Sequence, residues 1–144
     1  MTLILPMIGG GYIAAGGGVT PNSTILSSFA SPSFIPTGLA YDGTNLISCD
    51  RLSDIIYIHD GVSSAILSSF ASPSTFPTGL AYDGANLISC DQDSDTIYIH
   101  DGVSSTILSS FASPSTQPHG LTYDGANLIS CDYFSDTIYI HGNS

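Results

Sequence analysis

The side chains with most chemical capacity recur at a fixed interval. His59, His100 and His141 stand 41 positions apart, and Cys49, Cys90 and Cys131 keep the same interval. Imidazole and thiolate are zinc ligands, so their shared period raises a metal site, or a disulfide, as the first chemistry to weigh. Asp91, Asp93 and Asp95 form a D-x-D-x-D run that could attract Ca²⁺, but the matching stretches elsewhere read Asp50-Arg51-Leu52 and Asp132-Tyr133-Phe134. A full calcium loop also needs a distal bidentate acid and a glycine turn. Serine is abundant, yet no Gly-x-Ser-x-Gly elbow accompanies it. The chain has no Glu and no Lys, so two of the usual acids and bases are missing, and no phosphate-cradling glycine loop stands beside a helix.

Charge narrows the partners further. Twelve Asp against Arg51 alone give a formal net charge of −11. Such a surface repels phosphate backbones and offers no basic stripe for counterion release, which excludes nucleic acid as the expected partner. It also disfavours anionic membranes and favours solubility and basic surfaces. Leu3 to Ala15 is apolar but short, broken by Pro6 and Gly9-Gly10-Gly11, and has no Lys or Arg before it. It fits neither a membrane span nor a signal peptide. Residues 1–22 are therefore expected to be a docking arm with a hinge at Gly16-Gly17-Gly18, and residues 23–144 the folded domain.

The elements that must position these residues are three copies of one unit. Between 23–63 and 64–104 only seven of 41 positions differ, so the period is a duplicated structural unit. Each copy carries four β-type runs: in the second, Gly79–Tyr82, Asn86–Cys90, Asp95–His100 and Ser105–Phe111, separated by the Asp83-Gly84 and Asp101-Gly102 turns and a polar loop. The linker Ala112–Pro118 is expected to stop pairing, because proline removes a ladder donor. No segment shows helical periodicity over a helix length.

Pro77-Thr78-Gly79-Leu80-Ala81-Tyr82-Asp83-Gly84-Ala85-Asn86-Leu87, followed by Asp95-Thr96-Ile97-Tyr98, resembles a blade of the NHL-type and gluconolactonase-like β-propellers. The resemblance covers residues 23–142. It implies four-stranded blades around an axis, with the Gly-Leu-Ala strand innermost. It does not bring lactonase chemistry with it: those enzymes hold a metal with acidic and amide side chains at the axis, whereas these inner strands carry Gly, Leu, Ala, Thr and Tyr. The fold expected is all-β, with three 41-residue blades per chain. The first outer-type strand, Thr24–Phe29, precedes the first blade, and the last blade has only three strands, so two chains are expected to form a six-bladed dimer in which Thr24–Phe29 completes the partner's final blade. A monomeric β-trefoil is the alternative.

Ring geometry then weighs against the metal. Strands about 4.8 Å apart put the Cys strand, and still more the His strand, too far from the axis for three copies to share one ion or for two thiols to bridge. Cysteines are expected to pack structurally and histidines to cap turns or sheet edges; neither metal nor cofactor is expected. In a meander, the loops after the second and fourth strands emerge on one face, and the copies differ most there: Phe34, Ile35, Arg51 and Leu52 in the first, Phe76, Gln92 and Asp93 in the second, Gln117, His119, Tyr133 and Phe134 in the third. Such residues make contact surfaces, although drift in tolerant loops would give the same pattern. The expected function is a non-catalytic structural and binding module that recognises a protein or glycan and docks into a larger assembly through residues 1–22. Similar repeats behind a short Gly-rich arm also resemble small virion proteins of tailed bacteriophages, which implies a virion or extracellular setting. A lectin with one sugar site per copy and a metal-dependent lactonase-like enzyme are the other readings; unequal loops weigh against the first and the axial residue types against the second.

Overall fold

The computed structural model describes residues 20–143, an all-β arrangement of eleven strands in three antiparallel sheets. The docking arm expected at 1–22 lies outside the described residues, except for 20–22, which are exposed. The first sheet runs β1 (Pro36–Tyr41), β2 (Leu46–Asp50), β3 (Ile55–His59), β4 (Ile66–Ala71) in chain order. The second repeats it as β5 (Pro77–Tyr82), β6 (Leu87–Asp91), β7 (Thr96–His100), β8 (Ile107–Ala112), and the third holds β9 (Pro118–Tyr123), β10 (Leu128–Asp132) and β11 (Thr137–His141). Pro36, Pro77 and Pro118 open strands instead of stopping the linker as expected. The ladder tolerates them because they are first residues, and the register slips beside each of them.

Aspartate shapes the turns. Asp42 Oδ1 accepts the N–H groups of Thr44 and Asn45 at 2.8 and 2.7 Å, closing the β1–β2 turn around Gly43 at φ 98°. Asn45 Oδ1 in turn accepts Gly61 N–H at 3.0 Å, tying that turn to the one between β3 and β4. Asp83 and Asn86 repeat the pattern in the second sheet.

The sheets meet along β1, β5 and β9, which lie side by side. Glycine is required there by close approach. A Cβ on Gly79 would stand 2.9 Å from Cys90 Sγ and from the His119 carbonyl, and 3.0 Å from Leu121 N. Thr37 Oγ1 donates to the Pro77 carbonyl at 2.7 Å and Thr78 Oγ1 to the Pro118 carbonyl at 2.6 Å, stitching one inner strand to the next. Each sheet is thus a propeller-like blade with its Gly-Leu strand innermost. The trefoil alternative is set aside: it needs a barrel shared by all three repeats, and no ladder joins one repeat to another among the described residues.

The core lies between blades. Ile47, Cys49, Ile56 and Ile58 of the first blade pack on Leu80 and Leu87 of the second. Ala81, Ile88, Cys90 and Ile97 pack on Leu128 of the third in the same way. Thr24–Phe29, expected as a strand, has no ladder partner among the described residues and is exposed, with Leu26 at 96 %. Its intended neighbour, β11, has no fourth strand beside it among the described residues.

Candidate functional site

The periodic histidines are built into the blades. His59 Nδ1 lies 2.7 Å from the Ser63 carbonyl, which can only accept, so Nδ1 carries the proton and Nε2 accepts from Ser48 Oγ at 2.8 Å. His100 with Ser104 and Ser89 repeats the arrangement, and Ser130 meets His141 at 2.8 Å. A Ser hydroxyl on His Nε2 is the geometry of a nucleophile and its base. Burial decides against that use, since Ser89 and His100 are sealed from solvent at 1 and 0 % exposure. Burial also lowers the His100 pKa below its ordinary 6.5, with the Ser104 carbonyl pulling the other way. His59 and His100 cap turns, as expected, and sit inside their sheets, whereas His141 lies on β11 at the open edge of the third. The signal for the Ser–His pairs was present in the sequence as an 11-residue spacing kept in all three copies.

Cysteine fills the space over the inner glycine. Gly38 and Cys49 are cross-strand partners, as are Gly79 and Cys90. Burial pushes Cys90 up to about 12 and raises Cys49 as well, so neither is a thiolate near neutral pH. No group of three potential ligand side chains converges among the described residues. The aspartate run is likewise committed to the backbone. Asp91 Oδ1 accepts Asp93 and Ser94 N–H at 2.9 and 3.0 Å, Asp93 accepts Thr75 Oγ1 at 3.0 Å, and Asp95 Oδ1 accepts Gln117 N–H at 2.8 Å.

The loops expected to form one face are each tied to a neighbouring linker. Arg51 N–H donates to the Ile35 carbonyl, Gln92 N–H to Phe76 and Tyr133 N–H to Gln117, which pins each β2–β3-type loop to the linker before its own blade. Arg51 crosses to the next blade and stands 4.8 Å over the Phe76 ring. The His119 and Tyr133 rings lie 6.3 Å apart. Phe34, Leu52, Asp93, Tyr133 and Phe134 are exposed, whereas Ile35, Gln92 and Gln117 are half-buried. Phe76 and Gln117 hold left-handed φ values of 96° and 70°, so part of their role is to turn the chain. His119 belongs to β9 and not to a loop.

Two apolar faces stand open at the ends of the row of blades. The first blade presents Leu39 and Leu46, with Pro32 and Phe29, around a recess of about 220 Å³. The third presents Ile129, Cys131 and Ile138 around one of about 270 Å³. The equivalents of Leu39, Leu46, Cys131 and Ile138 are core in the second blade, so the difference comes from the blade's place in the row and not from residue type.

No family model and no curated protein matches the sequence. Solved structures do. Kuenenia stuttgartiensis hydrazine synthase superposes with a TM-score of 0.62 at 17% identity, over 82% of this chain and 36% of that one. Myxococcus xanthus glutaminyl cyclase gives 0.61 at 12%, over 75% and 55%. A chain of a nidogen/laminin complex gives 0.59 at 22%, over 73% and 42%. This chain therefore spans between about a third and about half of those structures, and at these identities the likeness concerns fold alone. With three meander sheets meeting along their first strands, it identifies the fold as propeller-like.

Proposed function

We propose that the chain is a non-catalytic structural and binding module, two copies of which close a six-bladed ring that offers its loop face to a protein or glycan. The observation that supports this reading is contact among the varied residues: Arg51 lies over the Phe76 ring, and His119 and Tyr133 stand side by side with tilted rings. Half-buried Arg51 and Phe76 and exposed Tyr133 and Phe134 sit on loops held by backbone hydrogen bonds, so ordering them costs little at binding. The Ser–His pairs recur in all three blades and are buried in the first two, which suits a scaffold. The inner strands bring Leu39, Leu80 and Leu121 to the axis with a single imidazole, His119, and no carboxylate or amide beside it, which disfavours the lactonase-like reading. The virion or extracellular setting and the attachment role of residues 1–22 are proposed with it, on the sequence resemblance.

A glycan array and a pull-down from the native particle or extract, each run with the intact chain and with a Tyr133→Ala, Phe134→Ala double variant, test the reading. Capture of a partner that the variant loses by tenfold or more is expected. Equal capture by both chains rejects this loop face. Sugar binding that persists at one site per copy would instead favour the lectin.

A further inference from the structure

We propose that residues 24–35 of each chain complete the third blade of a second copy in a reciprocal exchange. This rests on the two-chain ring above and names the contacts that close it.

Outer strands in this fold serve two blades. β4 pairs with β3, yet its Phe70 ring lies 5.7 Å from His100 of the next blade; β8 pairs with β7 while Phe111 lies 5.3 Å from His141. Residues 25–30 repeat the β4 sequence Ile-Leu-Ser-Ser-Phe-Ala and place Phe29 5.8 Å from His59, tilted 52° against 53° and 55°. The segment is already seated as the outer strand of a blade preceding the first, and no sheet stands there among the described residues.

The linker shows the same incompleteness. Phe76 N–H donates to Asp54 Oδ1 of the preceding blade at 3.0 Å and Ser72 N–H to the Asp54 carbonyl at 2.8 Å. Gln117 and Ser113 use Asp95 identically, at 2.8 and 2.7 Å. Ile35, with no preceding blade among the described residues, turns its N–H to Asp50 Oδ2 at 2.6 Å, while the matching Asp91 and Asp132 Oδ2 atoms have no partner there. Asp136 nonetheless holds φ 51°, against 55° and 49° at Asp54 and Asp95, so it is shaped for a linker that none of the described residues brings to it. A second copy supplies that linker, lays 25–30 along the free edge of β11 and covers Ile138 and Cys131 with the face of Leu39 and Leu46. The internal registers Ile56↔Phe70 and Tyr57↔Ser69 place Phe29 opposite Ile138 and Ser28 opposite Tyr139.

The test uses the full chain in a Cys131→Ser background. Ser28→Cys with Tyr139→Cys is expected to yield, on mild oxidation, a covalent species of twice the chain mass, whereas Ser28→Cys with Ile138→Cys, off by one residue and on the other face, is not. Sedimentation of the unmodified chain accompanies it, and Asp136→Ala is expected to weaken the dimer about tenfold or more, with Asp60→Ala as an unaffected control. A dimer without the in-register link, or one indifferent to Asp136→Ala, overturns the exchange and leaves the two-chain ring standing. A compact monomer overturns both.

Discussion

The second blade and its two neighbours share their sequence but not their surroundings. Ile97 and Ile138 occupy the same place in identical Thr-Ile-Tyr-Ile-His strands, and their exposures are 0 and 72 %. Leu80 and Leu39, in identical Pro-Thr-Gly-Leu-Ala-Tyr strands, are 2 and 63 % exposed. Even the aspartates diverge. At Asp50 burial works to raise the pKa, but N–H donation from Ser53, Ile35 and Leu52 outweighs it and leaves it lowered; at Asp91 burial prevails and the pKa is raised. A blade of this kind has little core of its own. Its apolar residues become core only when another blade faces them, so stability resides in the junctions.

The sharpest way to break that comparison is to truncate the same residue on both sides of it. Ile97→Ala should cost about 2–5 kcal/mol in urea unfolding at any protein concentration. Ile138→Ala should cost much less in dilute solution, with its effect growing as concentration promotes association; equal losses in the dilute chain would show the third blade's face to be covered within one copy. Next in size is Gly79→Ala, whose Cβ meets Cys90 Sγ and two backbone atoms of the next blade and should cost about 1–3 kcal/mol by overpacking. Gly120→Ala meets Cys131 Sγ alone and should lower the melting temperature of the dilute chain far less.

A smaller effect comes with pH. The folded His100 has its pKa lowered below 6.5, so below that pH the unfolded chain binds more protons than the folded one. Stability is then full above about pH 6.5 and falls as the pH drops below it, by at most about 1.4 kcal/mol per pH unit for one group. Urea midpoints at pH 7.5, 6.5 and 5.5 should show the slope in the intact chain and a reduced slope in His100→Asn. An unchanged slope would remove His100 as its source. Smallest is Thr78→Val, which loses one hydrogen bond to the next blade at 2.6 Å and should cost about 1 kcal/mol, read as a shift in midpoint with an unchanged urea dependence.

Much of the fold could be read before any coordinates. Alternating apolar residues between Asp-Gly turns placed the strands to within a residue or two, and the glycines of the inner strand announced a close approach. The candidate face was legible as the place where the copies differ. The aspartates were misread in part: twelve carboxylates suggested a diffuse acidic surface, yet Asp42, Asp50, Asp91 and Asp95 hold backbone N–H groups that would otherwise go unpaired.

Period, strand order within a blade and turn chemistry follow from the residues alone, because side-chain alternation, Asx hydrogen bonds and proline's missing donor act over a few neighbouring positions. Burial does not. Cys49 and Cys131, or His59 and His141, are the same residues in nearly the same local sequence, and only the neighbouring blade decides which is sealed and which faces water. The Asp54 and Asp95 grips on the following linker and the two open faces depend on groups brought together from two blades. Local sequence cannot specify these contacts, since the apolar burial that stabilises them is shared between two blades.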